Sequence, residues 1–246
     1  MVKYSIIIPT RNEEEGIAKV ICSIPQSIAK DAEIIVADSS DDLTPTIARR
    51  LGARVIRVPK KGKGYAMRVA ARKAKGEILI FLDGDGTDPP TYIPKLLKKL
   101  NKYDIVLGTR SLAYSDKDAK AYRLIFKIYG AFVIPAFKAA GLKIKGDPLA
   151  GFRVMRKETW EKLDLKSNDF LIETEMNFKA LKLGMKIGEV PIPHLPRAGG
   201  LLKSKLVRDP KQWIKILKMI LSFVKEEKFK KKIKKGISRI KKDFNP

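Results

Sequence analysis

The first 107 residues alternate short apolar runs with polar segments of helical length. The apolar runs predict five strands, at Lys3–Ile8, Glu33–Ala37, Arg54–Val58, Glu77–Leu82 and Asp104–Leu107. Helices are predicted between them, at about 12–24, 45–51, 65–74 and 91–100. Strands that alternate with helices favour a doubly wound, mostly parallel sheet with helices on both faces. Ligands of such sheets bind at the carboxyl ends of the strands, so polar residues that follow the strands are expected to share one rim.

The fourth predicted strand ends in an acidic turn, Asp83-Gly84-Asp85-Gly86-Thr87-Asp88, which two prolines follow. Carboxylates at positions 83 and 85 can both reach one hard divalent cation, and nucleotide phosphates can share that ion. The predicted topology brings Pro9–Glu13 and Asp38–Asp42 to the same rim, although they are far apart in the sequence. A turn whose aspartates only cap the following helix is the alternative interpretation.

Other sequence signatures narrow the class of site. The run Lys60-Lys61-Gly62-Lys63-Gly64 resembles a phosphate cradle but lacks the spacing of a P-loop, and no Gly-x-Gly-x-x-Gly follows the first strand. Cys22 is the only cysteine, which excludes an internal disulfide and a cysteine-based zinc site; we expect it to be a small core residue. His194 is the only histidine, which excludes a histidine-rich metal centre. Metal-bridged nucleotide binding is therefore favoured over dinucleotide binding.

The formal net charge of +25 implies an anionic partner, such as nucleic acid, anionic lipid or a phosphorylated substrate. About half of the excess lies between positions 203 and 242, where sixteen Lys or Arg residues accompany three acids. Phe229, Ile233, Ile237 and Ile240 form one apolar stripe among these lysines, which predicts a basic amphipathic helix. We expect this segment to contact a membrane surface or polyanion; a solvated helix of a lysine-rich thermophile protein is the alternative.

Beyond Thr109 the alternation is less regular. Helices are predicted at about 117–140, 172–183, 210–225 and from there to 242, and strands at 151–155 and 185–192. Leu124–Leu142 is the most apolar stretch, but Lys127, Gly130, Pro135 and Lys138 interrupt it, and no run of about twenty apolar residues is present.

Several segments, in order, resemble the family 2 glycosyltransferases, which are nucleotide-sugar enzymes with a Rossmann-like GT-A fold. Ser5–Glu14 resembles their opening strand, and Glu33–Thr44 resembles their second-strand acidic turn. Asp83-Gly84-Asp85 resembles their metal motif, and Gly108-Thr109-Arg110 their next loop. The resemblance continues through Asp147–Arg153, Glu173–Ile192 and Arg197–Leu206. It covers residues 2–206 and is greatest to the dolichyl-phosphate mannose or glucose synthases.

The resemblance implies roles for individual residues. Pro9, Arg11 and Glu13 are expected to line the pocket for the base and ribose, and Asp38 to help hold the base. Asp83 and Asp85 are expected to bind Mg²⁺ or Mn²⁺ and the diphosphate, with Thr87 as a candidate third ligand. The side chains expected to grip donor or acceptor phosphates are Arg110, Arg123, Arg153, Arg197, Lys203 and Lys205. Asp147 or Glu173 is the candidate base if the acceptor is a hydroxyl group, whereas an ionised phosphate acceptor needs little help from a base.

The activity expected from the resemblance is a metal-dependent, inverting transfer of mannose or glucose from GDP-mannose or UDP-glucose to a polyprenyl (dolichyl) phosphate. We expect a nucleotide-sugar-binding half at residues 1–107, an acceptor-binding half of the same domain at 108–206, and a basic amphipathic helical tail at 207–246. The chain is expected to be cytoplasmic and peripheral on the membrane, with no specific nucleic-acid partner.

Three alternatives remain open at this point. One is a soluble glycosyltransferase that acts on a small molecule or a growing glycan. Another is a non-enzymatic polyanion-binding protein, which the charge alone suggests. A nucleotidyltransferase is a third, because such an enzyme also places acids and a metal at strand ends.

Overall fold

The computed structural model of the protein describes residues 2–110, 134–139, 141–193, 195–200, 211–212 and 214–226. Most of the helix predicted at 117–140 lies outside these ranges, as does the amphipathic run predicted beyond residue 226. The candidate phosphate ligands Arg123, Lys203 and Lys205 also lie outside the described residues.

The described chain forms one seven-stranded sheet with the order β3-β2-β1-β4-β6-β5-β7. Its strands are β1 Tyr4–Thr10, β2 Ala32–Asp38, β3 Arg54–Arg57, β4 Ile78–Phe81, β5 Ile105–Arg110, β6 Arg153–Arg156 and β7 Ile187–Ile192. Strand β6 is antiparallel to both of its neighbours, β4 and β5, and the other pairs are parallel. The predicted mostly parallel sheet is confirmed.

Helices cover both faces of this sheet. They are α1 Glu14–Cys22, α2 Gln26–Ala29, α3 Thr44–Arg50, α4 Lys63–Lys73, α5 Ile93–Lys99, α6 Ile134–Ala139, α7 Lys157–Leu163 and α8 Ile172–Lys182, and a 3₁₀ turn at Pro90–Tyr92 precedes α5. One core layer contains Ile7 with residues of α4, α7 and α8, and the other contains Ile6 and Ile8 with residues of α1 and α5. Successive side chains of a strand point to opposite faces, so a run of isoleucines supplies both layers at once.

Residues 211–212 and 214–226 form a further helix, which packs on the layer that contains α8. Ile216, Ile220 and Phe223 are buried, and the ring of Phe223 stacks on Phe178 of α8 with their centroids 4.2 Å apart. The opposite face of this helix leaves Ile214 and Leu221 about half exposed. Among the described helices, none combines the length and the apolar character needed to cross a bilayer.

Two details differ from the sequence-based expectations. Helix α7 was not predicted, because its pattern is short and only Thr159, Trp160 and Leu163 are buried. Cys22 is exposed rather than buried, since it is the last residue of α1 and lies off the face that Ile17 and Ile21 bury.

Arg153 was expected to bind a phosphate, and its position contradicts that expectation. It lies on β6 in the interior of the sheet and is completely inaccessible to solvent. Its guanidinium group donates to the carbonyl oxygens of Ala150 (2.8 Å) and Pro148 (2.9 Å) and to Oδ1 of Asn177 (2.8 Å). Arg153 therefore fixes the chain that enters β6, and it does not face a ligand.

We predict that Arg153→Met lowers the free energy of unfolding by about 2–4 kcal/mol, because buried acceptors would lose their donors at about 1–3 kcal/mol each. Denaturant unfolding measures the change. Arg156→Met is the matched control on the same strand, since Arg156 makes one 3.1 Å bond to the carbonyl of Leu100 and is only partly buried. Equal losses in the two variants would contradict a special role for Arg153.

Candidate active site

The carboxyl ends of β1, β2 and β4 meet at one rim, as the topology predicts. The loops after β1 and β2 are joined by a 2.7 Å hydrogen bond from the Asn12 amide to Oγ of Ser40. The acidic turn, Asp83–Asp88, follows β4 in the chain. It lies against the loop after β1, near Thr10 and Glu13. Residues from distant parts of the sequence therefore surround one site.

Two glycines allow the surrounding chain to approach the acidic turn closely. A Cβ atom on Gly16 of α1 would lie 2.6 Å from the carbonyl oxygen of Gly84. A Cβ atom on Gly151 would lie 2.6 Å from Oδ2 of Asp83. Any side chain at these positions would displace the turn, because such distances are shorter than van der Waals contact.

Asp83 is paired with a lysine that the sequence analysis did not assign to the site. Nζ of Lys63, at the start of α4, lies 2.6 Å from Oδ1 of Asp83 and 2.7 Å from Oε1 of Glu173 on α8. Burial alone would raise the pKa of Asp83, but the Lys63 ammonium, with Arg110 and Arg197, holds it below its ordinary value. Burial opposes the charge of Lys63, and the two carboxylates overcome it and raise its pKa.

Asp85 is held by the acidic turn itself and by Arg197. Its Oδ1 accepts hydrogen bonds from the amide (3.0 Å) and the hydroxyl group (2.7 Å) of Thr87. Its Oδ2 is ion-paired with Arg197, whose other terminal nitrogen lies 2.7 Å from Glu13. The backbone amide of Ala198 also donates to the carbonyl oxygen of Asp85 (3.0 Å), so the loop at 195–200 lies over the turn.

Asp88 is the third carboxylate of the turn and is only 1% exposed. Nε of Arg110 lies 3.5 Å from its Oδ1, and neither oxygen has a hydrogen-bond partner among the described residues. Burial raises the pKa of Asp88 to about 7, with Arg110 opposing the shift and the charges of Asp83 and Asp85 adding to it. Arg110 is attracted to several carboxylates at once, and this attraction raises its pKa against the effect of burial.

The donor set of the acidic turn fits a hard divalent cation shared with a ligand. Among the described residues, Lys63, Arg197 and Arg110 are each close to at least two carboxylates. No group of three acidic, cysteine or histidine side chains converges on one point in the described part of the chain. Mg²⁺ and similar ions are commonly held by one or two carboxylates and the phosphates of a substrate, which is the arrangement that Asp83 and Asp85 could provide.

Asp38, the expected base-binding residue, is completely buried and has four donors around it. Thr10 and Ser40 donate their hydroxyl groups to Oδ1, while the Ser40 amide and Arg57 donate to Oδ2. The carboxylate of Asp38 thus ties the end of β1 to the loop after β2. Pro9 and Arg11 lie beside it, with Pro9 half-buried and Arg11 exposed.

The two candidate bases differ in access to solvent. Glu173 is 3% exposed and ion-paired with Lys63, an arrangement that suits it to holding that lysine. Asp147 is half-buried, and its Oδ1 accepts a 2.7 Å bond from the amide of Leu149. Its charge also acts on Arg110. The geometry therefore favours Asp147 over Glu173 as a group that a substrate could reach.

Lys63 and Asp88 are the residues of the site that sequence reasoning missed. Lys63 belongs to the run that was rejected as a P-loop, and the glycines on either side of it pack against Ser167 and Asn168, a contact that a local pattern does not reveal. Asp88 precedes two prolines and resembles an ordinary turn residue. Its position three residues after Asp85 was the available signal.

Comparison with known proteins identifies the family to which this fold belongs. The family model described as "Glycosyl transferase family 2" matches residues 5–163. The chain is 32% identical over 199 residues to a dolichyl-phosphate hexose transferase of Haloferax volcanii, and the match covers 79% of this chain and 84% of that protein. It is 30% identical to a dolichol-phosphate mannosyltransferase of Pyrococcus furiosus over 213 residues, which cover 82% of this chain and 59% of the relative.

The fold also has solved counterparts. The structure of glucosyl-3-phosphoglycerate synthase from Mycobacterium tuberculosis, in complex with Mn²⁺, UDP and phosphoglyceric acid, superposes with a TM-score of 0.67. It is 23% identical, and the match covers 90% of this chain and 78% of that one. The sheet and its rim therefore define a GT-A glycosyltransferase that uses a nucleotide sugar. The chain belongs to glycosyl transferase family 2 and is similar to the two transferases described above.

We predict that Lys63→Met lowers the free energy of unfolding at pH 7 by about 3 kcal/mol, because it leaves Asp83 and Glu173 without their shared cation. The lowered pKa of Asp83 contributes stability above its unfolded value of about 3.9 and loses it as the pH falls. The deficit of the variant should therefore change little between pH 7 and about pH 5 and shrink as the pH falls below about 4, as measured by denaturant unfolding.

Lys61→Met is the matched control for this prediction, because Lys61 is an exposed lysine of the same loop and contacts the ring of Tyr65. A deficit in Lys63→Met that does not change with pH would contradict the electrostatic account.

Proposed function

We propose that this protein transfers a hexose, mannose or glucose, from a GDP- or UDP-sugar to a polyprenyl phosphate, with a divalent cation and with inversion at the anomeric carbon. The observation that carries the proposal is the acidic turn, in which Asp83 and Asp85 share their cations with Glu173 and Glu13 at the ligand-binding rim of the sheet. We infer that residues 1–107 bind the donor and that residues 108–206 bind the acceptor.

The chemistry of the donor accounts for this arrangement of charges. Breaking the bond between a sugar and a diphosphate develops negative charge on the leaving group, and fixed positive groups in a preorganised site stabilise that charge. A divalent cation held by Asp83 and Asp85 would supply part of that stabilisation when it is bound. Arg110 and Arg197 are already held at the rim by carboxylates and are oriented before a ligand arrives.

An ionised phosphate is the acceptor that best suits the described residues. It is a nucleophile near neutral pH without the help of a base, whereas a hydroxyl acceptor would need one. Asp147 would then act through its charge and its position near Arg110 rather than by removing a proton. The names of the Haloferax volcanii and Pyrococcus furiosus relatives support dolichyl phosphate as the acceptor class. The chain spans 59% of the length of the latter protein.

We further propose that the protein attaches to the cytoplasmic face of a membrane through its C-terminal region. The exposed residues Ile214 and Leu221 lie seven positions apart on one face of the helix at 214–226, and the exposed Lys218 and Lys225 lie on the same face. The positions from 203 to 242 carry a net charge of +13. Basic residues near an anionic surface contribute about 1 kcal/mol each, which is sufficient for reversible attachment.

Calorimetric titration tests the donor site. The protein should bind either GDP-mannose and GDP or UDP-glucose and UDP at micromolar concentrations. Binding should weaken at least about tenfold without Mn²⁺ or Mg²⁺. Asp85→Ala should remove the metal dependence and leave the fold intact, because its carboxylate is the ligand that the cation would lose. Titrations with each metal compare Mg²⁺ with Mn²⁺.

Asp31→Ala is the control, since Asp31 is an exposed acid at the opposite end of the sheet beside the start of β1. Unchanged Mn²⁺-dependent affinity in Asp85→Ala would contradict the proposed metal site. Absence of binding by any of the four nucleotides would contradict the proposed donor class.

Vesicle flotation tests the membrane contact. The protein should float with vesicles that contain anionic lipid at low salt, and binding should fall with added salt because the attraction is screened. The double variant Ile214→Ser/Leu221→Ser should bind more weakly at equal charge. No flotation of the unaltered protein with anionic vesicles at low salt would contradict the proposal, and transfer to small sugars without lipid or detergent would favour the soluble alternative.

A further inference from the structure

Glu189, on β7, has a carboxylate that accepts three hydrogen bonds from other parts of the site. Its Oε1 accepts a 2.9 Å hydrogen bond from the amide of Lys145. Its Oε2 accepts from the amide of Gly146 (3.0 Å) and from the hydroxyl group of Thr109 (3.1 Å). Hydrogen bonds from neutral donors to an ionised carboxylate are roughly twice as strong as those between neutral groups. Glu189 therefore fixes two successive amides immediately before Asp147.

The segment at residues 145–150 is held from the other side as well. The carbonyl oxygen of Pro148 accepts from Arg153 (2.9 Å) and from Nδ2 of Asn177 (2.7 Å), both of which are buried. On the N-terminal side of Asp147 the carboxylate of Glu189 holds two backbone amides. On its C-terminal side Arg153 and Asn177 hold the carbonyl group of Pro148. The segment continues into Gly151, which contacts the carboxylate of Asp83.

The fit at Gly146 leaves the segment little freedom. A Cβ atom on Gly146 would lie 2.4 Å from Cβ of Thr109, so the loop lies directly against the end of β5. Thr109 precedes Arg110, which pairs with Asp88 of the acidic turn. Through Thr109 and Gly146, the carboxylate of Glu189 joins the strand that carries Arg110 to the loop that carries Asp147.

We propose that Glu189 is a positioning residue of the active site, which sets the loop that carries Asp147 relative to Arg110 and the acidic turn and so controls the acceptor side of the reaction. This role deepens the proposed function and rests on it. Glu189 does not contact the acidic turn, and Arg110 keeps its ion pair with Asp88 without it, so its loss should leave donor binding largely intact. A displacement of about 1 Å at a reacting group can lower a rate by about a hundredfold.

The chain offers a matched control in Glu33 on β2. The carboxylate of Glu33 likewise accepts from a serine hydroxyl group, that of Ser5 (2.6 Å), and from a backbone amide, that of Lys75. It lies near the amino ends of the parallel strands, away from the acidic turn. Glu33→Gln and Glu189→Gln therefore remove similar interactions at opposite ends of the sheet.

The experiment compares hydrogen exchange, Mn²⁺–nucleotide affinity and hexose transfer to polyprenyl phosphate in the full chain and the two variants. In Glu189→Gln, the backbone amides of Lys145 and Gly146 should exchange at least about tenfold faster, because the side-chain NH₂ group of glutamine replaces an acceptor oxygen by a donor. The kcat for transfer should fall about tenfold to a hundredfold, with the affinity for Mn²⁺ and nucleotide changed by less than about twofold. Glu33→Gln should accelerate exchange near residue 75 and leave kcat unchanged.

Exchange at Lys145 and Gly146 that matches the unaltered protein would overturn the proposal. Equal losses of kcat in the two variants would also overturn it, because they would indicate a general loss of stability. If the unaltered protein binds nucleotide but transfers no hexose to polyprenyl phosphate, the proposed acceptor is wrong. The exchange measurement needs no substrate and still decides whether Glu189 holds the segment.

Discussion

The site depends on one electrostatic constraint, which is that three carboxylates within six residues are removed from much of the solvent at the end of β4. Asp83, Asp85 and Asp88 repel one another, and burial adds to the cost of their charges. Each is therefore met by a cation from a different part of the chain, Lys63, Arg197 and Arg110 respectively. Because these cations come from α4, β5 and the loop at 195–200, satisfying the turn also assembles the walls of the site.

Close packing then converts these pairings into fixed positions. Gly16 and Gly151 let the backbone approach the acidic turn to distances that a side chain would prevent. Arg153 and Glu189 hold the two sides of the segment at 145–150 through hydrogen bonds to backbone groups. The charged groups that would face a donor are thus held in place by residues whose contacts are with the protein itself. A substrate would meet an arrangement that is formed before binding, which is the condition for electrostatic catalysis.

Much of this could be predicted from the sequence, and the exceptions have physical causes. Runs such as Ile6–Ile8 are apolar on both faces, so the strands and the rim at Asp83 followed from local pattern and topology. The role of Arg153 did not follow in this way, because long-range pairing sets the strand order that places β6 between β4 and β5. At its position on β6 the side chain of Arg153 is buried. Lys63 was missed for a similar reason, since its partners lie on β4 and α8 and only the folded chain brings them together.

The most direct test of the account is a crystal structure of the protein with Mn²⁺ and the nucleoside diphosphate that binds it, measured with anomalous scattering from manganese. The account predicts one anomalous peak at the acidic turn, about 2.1 Å from a carboxylate oxygen of Asp83 or Asp85 and shared with diphosphate oxygens. A manganese peak away from the acidic turn, or a bound diphosphate with no metal beside it, would contradict the account.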